Sequence, residues 1–408
     1  MWTTHGRARP RQDTDDGSLL AKGLIAVEIG LRDWNRPHAV STLFTSLFRY
    51  VRPTWTLSPA QVATALYRGI LEREPDLAGL KSKVKRLRSD SLEQVVRTFI
   101  ASPEFRSRFL ERLVPPLQLP DLRALMPDKY EIQQTSRGAI GVYVARDASD
   151  AALMASLIEK HRYYDRFGVW TPTIDLDKKI TATIVRGLGA KSCFELGCFT
   201  GPVMSLLADE GLTVLGSEVS HLAFAFAYPN IRDSILYGDL LSLDIHRRFD
   251  AVLCMDVLEH VDPLRLDAYI NRIASLLNED GYIYLNSPMW GRDHTFGIFE
   301  EPYLDEWQSV ADASYWRHWP CDDRGWPVHG HLVWASPGWW SRKFAAHGFV
   351  RDTLVEEIIH RRLSRFFSNA IGRRCLFALR RADNTQSSVA IAAAVDVGLS
   401  NLTRLPNP

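Results

Sequence analysis

The chain has 408 residues, of which 46% are hydrophobic and 24% charged, and its net charge is +1. That length exceeds one small core and implies two domains plus tails, while the composition is that of a soluble globular protein. A net charge this small removes any global argument for nucleic-acid binding, so no nucleic-acid partner is expected. The charge is nonetheless uneven. Residues 1–130 hold 21 Lys and Arg against 14 Asp and Glu, and this basic excess beside an acidic remainder points to an anionic partner for the N-terminal part.

In chain order, residues 1–18 are polar and highly charged and are expected to form a loose arm, extending with less regular sequence to residue 53. The apolar stretch Leu19 to Leu31 contains Lys22 and Glu28 and is too short to span a bilayer, so neither a cleaved signal nor a membrane anchor is expected. Ala39 to Val51 is read as a packing helix, with a membrane-surface helix as the alternative. From Ser58 to Phe109 the apolar residues recur at helical spacing, with Val62, Leu66, Ile70 and Leu71 on one face and Leu92, Val95, Val96, Phe99 and Ile100 on another. Ser58-Pro59 and Asp90-Ser91 supply the N-terminal caps, and Ser102-Pro103-Glu104 opens a third short helix. Residues 54–115 are therefore a small helical accessory domain. Its run Lys81-Ser-Lys-Val-Lys-Arg-Leu-Arg88 carries five basic residues. They read as a solvated face, or as a contact with a membrane or a phosphorylated lipid carrier.

Pro115, Pro116, Pro120 and Pro127 mark a linker. The helix from Asp147 to His161 is expected to lead into a catalytic sheet, so that 116–159 is linker plus leading helix. Strands at 192–196, 212–217, 235–238, 249–254 and 281–286 then alternate with helices, the pattern of a doubly wound parallel α/β sheet. A helix from Pro337 to His347 precedes closing strands at Phe349 to Ile358 and Cys375 to Leu379. Residues 383–408 read as a mobile tail, although Val389 to Val397 could pack as a helix.

Four stations in this region carry chemistry. Ser192-Cys-Phe-Glu-Leu-Gly-Cys-Phe-Thr-Gly201 is a buried strand followed by a turn that Gly197 and Gly201 would let pass close to a ligand. Glu218 follows the second strand, where a carboxylate can accept both hydroxyls of a ribose. Asp239 stands at a third strand end, and Asp256-Val-Leu-Glu-His260 follows a fourth.

Together, Glu195-Leu-Gly-Cys-Phe-Thr-Gly201, Gly216-Ser-Glu218, Gly238-Asp239-Leu240 and Asp256-Val-Leu-Glu-His260 resemble the motifs of the class I S-adenosylmethionine-dependent methyltransferase family over roughly residues 160–382. The resemblance implies a Rossmann-like, seven-stranded, mostly parallel sheet with an antiparallel edge hairpin, preceded by the all-α domain. It also implies S-adenosyl-L-methionine as cofactor. Glu195 would then meet the positive amino-acid end, Glu218 the ribose and Asp239 the adenine amine, with Leu240 and Met255 sandwiching the ring and Gly197 and Gly201 shaping the loop. The chain departs at Phe199, where the family usually has a glycine. A second resemblance, through Leu66-Tyr-Arg-Gly-Ile-Leu-Glu-Arg-Glu-Pro-Asp-Leu-Ala-Gly-Leu80 and Ala101-Ser-Pro-Glu-Phe105, is to a bacterial helical module of unknown function that accompanies enzymes of surface-polysaccharide synthesis.

His260, with Glu259, is the catalytic candidate, because an imidazole can take a hydroxyl proton near neutral pH. On a helix starting near Asp256, that residue would share a face with Glu259 and His260. With His329 or His331 added, the set Asp256, Glu259, His260 and His331 would suit Mg²⁺ or Mn²⁺, and it resembles arrangements in quinone-precursor and RNA-end O-methyltransferases. Eight of the 12 tryptophans fall between residues 290 and 340, an insertion (288–336) expected to offer an aromatic platform for sugar rings or a flat acceptor. Five cysteines without a CxxC pair fit a reducing, cytoplasmic setting. Three functions follow. The first is O-methylation of a sugar hydroxyl on a glycan or its precursor; the second is O-methylation of a small molecule of the quinone or natural-product kind; the third is a binding protein that keeps the fold and has lost turnover at Phe199.

Overall fold

The computed structural model describes residues 57–100, 102, 104, 105, 118–135, 138–165, 174–221, 223, 226–298 and 317–403. The N-terminal arm, the stretch 39–51, Pro115, Pro116, Trp307, Trp316, Tyr303 and Tyr315 lie outside the described residues. Two compact units divide between Phe109 and Leu110.

In the first unit, α1 (Pro59–Leu71), α2 (Leu77–Ser89) and α3 (Leu92–Ile100) enclose a small core of Tyr67, Leu71, Val95 and Phe99. Ser58 and Gln61 form a reciprocal capping box at the start of α1. The buried stripe of α1 is Ala63, Tyr67 and Leu71, one position round from the expected Val62 and Leu66, because Tyr67 meets Phe99 edge-on at 4.9 Å. On α2, Lys83 lies 4.4 Å over the Phe99 ring and donates to Thr98 Oγ1. It packs rather than joining the solvated face, where Lys81, Lys85, Arg86 and Arg88 are exposed.

The second unit opens with a correction to the linker reading. Residues 130–144 form an antiparallel hairpin, β1 (Tyr130–Thr135) and β2 (Gly138–Val144), followed by α4 (Ala148–Lys160) capped by Asp147. Helix α5 (Leu176–Gly187), capped by Asp175, leads into the large sheet instead of the expected 147–161 helix. Then come β3 (Ser192–Leu196), α6 (Pro202–Asp209), β4 (Thr213–Glu218), β5 (Ile235–Tyr237), β6 (Phe249–Met255), α7 (Leu266–Leu276) and β7 (Leu277–Asn286). The short pair β8 (Arg292–Asp293) and β9 (Gly297–Ile298) precedes β10 (His318–Cys321), α8 (Pro337–Ala345), β11 (Phe349–Arg351), α9 (Thr353–Asn369), β12 (Leu376–Arg381) and α10 (Ser388–Thr403).

The seven-stranded sheet runs β11-β12-β7-β6-β3-β4-β5, parallel from β7 to β5, with β12 antiparallel to both of its neighbours. Its order reverses between β3 and β6, which opens a crevice at their carboxyl ends. The closing strands are not a tight hairpin, because residues 353–358, expected in a strand, begin α9. Asp352 caps that helix, and Val355, Ile359, Leu363 and Phe367 repeat every fourth residue on its buried face. The C-terminal segment is no free tail either. Ala392, Val395 and Leu399 of α10 are buried, and a Cβ on Gly187 of α5 would lie 2.7 Å from Val395.

A three-stranded sheet, β1-β2-β10, joins the pre-sheet hairpin to the aromatic insertion. Tyr143, Met154, Ile158, Tyr163, Trp319 and Trp326 form its core. Among the described residues, no helix is long and apolar enough to cross a membrane.

Candidate functional site

A cleft of about 830 Å³ lies at the carboxyl ends of β3, β4, β5 and β6. Glu195, Gly197, Glu218, Asp239, Leu240, Met255, Asp256 and His260 line it together, whereas Glu259 and His331 do not. Gly201 is the N-cap of α6 at φ 74°, and a Cβ there would meet Ile231 at 2.4 Å. At Gly197 (φ 64°) a Cβ would strike Val257 at 2.7 Å. Both glycines are thus required by packing of the loop against its neighbours as well as by its turn.

Between them, Phe199 adopts φ 51° and its amide donates to Glu218 Oε2 at 2.8 Å. The ring sits half-buried in the cleft wall and leaves the cavity open. Glu218 Oε1 accepts from the amides of Val219 and Ser220, each at 2.8 Å. Burial raises the Glu218 pKa and these three donors pull it back. The carboxylate therefore pins the loop after β3 to the loop after β4. Asp239 accepts from the Leu241 amide at 2.7 Å and pairs with Arg265 at 3.0 Å.

Glu195 is fully buried at the end of β3, and its Oε2 has no hydrogen-bond partner. Burial lifts its pKa to about 8, only partly offset by the Met204 amide. A buried acid of this kind takes its charged form when a cation arrives beside it.

The segment after β6 corrects the helix expected from Asp256. Asp256 adopts φ 53° and Leu258–His260 is a single 3₁₀ turn, so Asp256 does not share a face with Glu259 and His260. Asp256 pairs instead with Arg373. The peptide carbonyl of Glu259 accepts from the amides of Leu332 and Val333, tying the turn to the insertion. Both Glu259 side-chain oxygens are buried, Oε1 stands 4.0 Å from His260 Nε2, and burial, then the neighbouring Asp256, push its pKa far up. His260 Nδ1 lies 3.1 Å from the Gly330 carbonyl, which can only accept. The Nδ1–H tautomer follows, with the lone pair on Nε2. Tyr164 closes this corner. Its hydroxyl donates to the Gly330 carbonyl at 2.9 Å and its ring meets His260 edge-on at 5.1 Å. His331 lies 4.9 Å from His260, ring to ring, and burial holds its pKa far down.

The tryptophan platform does not form among the described residues. Trp290, Trp319, Trp326, Trp334 and Trp340 are buried, and Trp339 packs partly buried on the core. Three indole N–H groups reach backbone carbonyls, of Trp334, Leu332 and Pro120. These rings are the hydrophobic centre of the insertion rather than a groove for sugars. Sequence reasoning passed over Lys178, Tyr164 and Arg373, all of which line the cleft. The Asp175 cap and the amphipathic run 176–187 were the available signal for Lys178.

With strand order and cleft in view, residues 174–353 match the family model of a methyltransferase domain, on a Rossmann-like sheet. Residues 49–109 match a domain of unknown function, DUF4214. The chain is similar to the ubiquinone biosynthesis O-methyltransferase of Pseudomonas fluorescens, with 28% identity over 113 residues, 25% of this chain and 49% of that protein. With the Pseudomonas aeruginosa protein of the same name, identity is 26% over 137 residues, 31% of this chain and 58% of that one. The chain thus spans about half the length of the curated relatives it matches. Among solved structures, the 1,6-didemethyltoxoflavin-N1-methyltransferase of Burkholderia thailandensis aligns with 55% of this chain and 89% of its own, at 16% identity and a TM-score of 0.35.

Proposed function

We propose that the protein transfers the methyl group of S-adenosylmethionine to a hydroxyl of a small organic acceptor. The observation that carries this is the open cleft lined by Glu195, Glu218 and Asp239 along the strand ends and by His260 beside them. When bound, the cofactor supplies a methyl carbon on a sulfonium, open to in-line displacement. Glu218 holds the ribose hydroxyls with what remains of its acceptor capacity, and Leu240 and Met255 flank the adenine. Asp239 faces the adenine amine. His260, fixed as the Nδ1–H tautomer by Gly330, takes the hydroxyl proton on Nε2, and Glu259, whose Oε1 lies 4.0 Å from that nitrogen, stabilises the imidazolium that forms.

Around His260 the cleft is walled by Tyr163, Tyr164, Val257, Val261 and Leu332, which suits a compact acceptor. With the tryptophans in the core, a glycan acceptor keeps only the company of the helical unit as support. The exposed Lys81, Lys85, Arg86 and Arg88 of that unit would meet an anionic partner, such as a membrane or phosphorylated lipid carrier. The binding-protein alternative loses its basis at Phe199, which lines the cleft without filling it.

Calorimetric titration with S-adenosylhomocysteine tests the cofactor site. Micromolar binding is expected at pH 8. Free Glu195, with its pKa of about 8, is mostly protonated below that value, and contact with the ligand ammonium requires the carboxylate. Binding therefore releases a proton, and affinity falls by up to about tenfold per pH unit below 8. No binding at any pH to folded protein refutes the proposal.

A second reading concerns a divalent cation. Donor atoms of Glu259, His260 and His331 lie within 4.8 Å of one another, Glu259 Oε1 standing 4.0 Å from His260 Nε2. Asp256, engaged by Arg373, leaves the expected set. These three residues would hold the ion, which would supply a Lewis acid for the acceptor hydroxyl; the two imidazoles favour Mn²⁺ over Mg²⁺. Titration with Mn²⁺ followed by electron paramagnetic resonance should show a bound ion that Glu259→Gln removes; an unchanged free-ion spectrum excludes it.

A further inference from the structure

The imidazole of His260 is held from one side by a single tight turn. In Val328–His331 both central residues are left-handed, His329 at φ 57° and Gly330 at φ 75°, and the His331 amide closes the turn on the Val328 carbonyl at 3.2 Å. Two positive φ angles define a type I′ turn, whose central positions are dominated by Gly, Asn and Asp, so a histidine at the first of them is strained and kept there by its surroundings. The turn aims the Gly330 carbonyl at His260 Nδ1, 3.1 Å away.

That carbonyl belongs to a peptide plane that glycine leaves free to rotate. The N–H end of the plane is tied only by the 3.2 Å bond to Val328, at the long limit for such a bond. Tyr164 supplies the anchor at the other end. Its hydroxyl donates to the Gly330 carbonyl at 2.9 Å and stands 3.5 Å from the carbonyl of His260 itself. A carbonyl oxygen has two lone pairs, so Gly330 accepts from Tyr164 and from His260 Nδ1 together. The two neighbouring rings pack close on the turn, since a Cβ on Gly330 would lie 2.6 Å from Tyr163 and 2.9 Å from Tyr164. The Tyr163 hydroxyl donates elsewhere on the same segment, to the Pro327 carbonyl at 3.2 Å.

We infer that Tyr164 is a positioning residue for His260, fixing the plane and the tautomer of the imidazole through the Gly330 carbonyl and so keeping the lone pair on Nε2. Which ring nitrogen of a histidine carries the proton is set by the hydrogen bond made at the other, and Tyr164 holds the acceptor of that bond in place. This role rests on the methyl-transfer reading above and comes from a residue ahead of the matched domain, which begins at residue 174.

The tautomer can be read directly. Full-length protein is labelled with ¹⁵N-histidine, and long-range ¹H–¹⁵N spectra are recorded at about pH 9, where an imidazole is neutral, with chelator present so that no bound ion sets the tautomer. His260→Ala assigns the His260 signals by their loss. Unaltered protein should show a protonated Nδ1 and an unprotonated Nε2. Tyr164→Phe keeps the ring that meets the imidazole and removes only the hydroxyl; the ratio of the Nδ1–H to the Nε2–H tautomer should fall roughly 3- to 10-fold, the loss of one neutral hydrogen bond, and the two nitrogen shifts should draw together. Tyr163→Phe, which releases the same segment at Pro327, should leave the His260 shifts as in the unaltered protein. A protonated Nε2 in the unaltered protein would overturn the proposal whether or not any variant folds. Unchanged shifts in Tyr164→Phe would overturn it as well, and so would equal changes in the two tyrosine variants, which would assign both hydroxyls to architecture. Calorimetry with S-adenosylhomocysteine on the same samples separates this role from the cofactor site: absent binding beside the expected His260 shifts would refute methyl transfer and leave the positioning of the ring standing.

Discussion

His260→Ala is expected to lower turnover about 100-fold or more while S-adenosylhomocysteine affinity stays unchanged. Both halves follow from position. The His260 ring borders the cleft beyond the strand-end acids, so its removal takes the proposed proton acceptor and leaves Glu195, Glu218 and Asp239 in place. Its Nδ1 is committed to the Gly330 carbonyl, which leaves Nε2 as the basic atom. His331 cannot substitute, because burial keeps it far below the usual histidine range and it does not line the cleft. Steady-state kinetics with any accepted hydroxyl compound, paired with calorimetry, reads the two effects separately. Full turnover in the variant would remove His260 from the chemistry.

Glu218→Ala carries the second large effect, a loss of about 2–3 kcal/mol in cofactor binding, or roughly 30- to 160-fold in affinity. A ribose contact alone accounts for only part of it. The same carboxylate accepts from the amides of Phe199, Val219 and Ser220. Alanine therefore strands three N–H groups and releases Phe199 from its left-handed conformation, in a loop that forms the floor of the site. A lower melting temperature should accompany the weaker binding, with 5′-methylthioadenosine and S-adenosylhomocysteine affected alike. Unchanged affinity for both would exclude Glu218 from the site.

The sheet and four of its stations were legible because each station lies within a few residues of a buried strand, so strand, turn and acid are written contiguously. The ion pair of Asp256 with Arg373 is different. The two are 117 residues apart, and nothing local to Ile371–Arg374 tells a cleft-lining arginine from a solvated one. The misread helix at Asp256 has a local cause. Asp256, Glu259 and His260 sit at helical spacing, yet backbone ties from Leu332 and Val333 to Glu259 hold the segment as a single turn. Residues 353–358 were misread because Leu354, Val355 and Ile358 resemble a strand run; the Asp352 cap and the fourfold repeat to Phe367 argued for helix. The tryptophan count marked where aromatic residues gather and not that the described ones face a core, since composition cannot tell a ring that faces a groove from one that faces a core.

The pairing of β2 with β10, His318 against Val144 through Cys321 against Gly141, bears on where the second unit can be cut. Sequence likeness marks the methyltransferase domain as beginning at residue 174. A chain started there would strip β10 of its partner strand, leaving an open backbone edge in the middle of the insertion. It would also uncover Trp319 and Trp326, whose neighbours Tyr143, Met154 and Ile158 lie before the cut. Tyr164, against His260, would go with them. The smallest independently folding piece therefore starts ahead of β1, and recombination or domain exchange at the edge of the recognised domain would break a core rather than a linker.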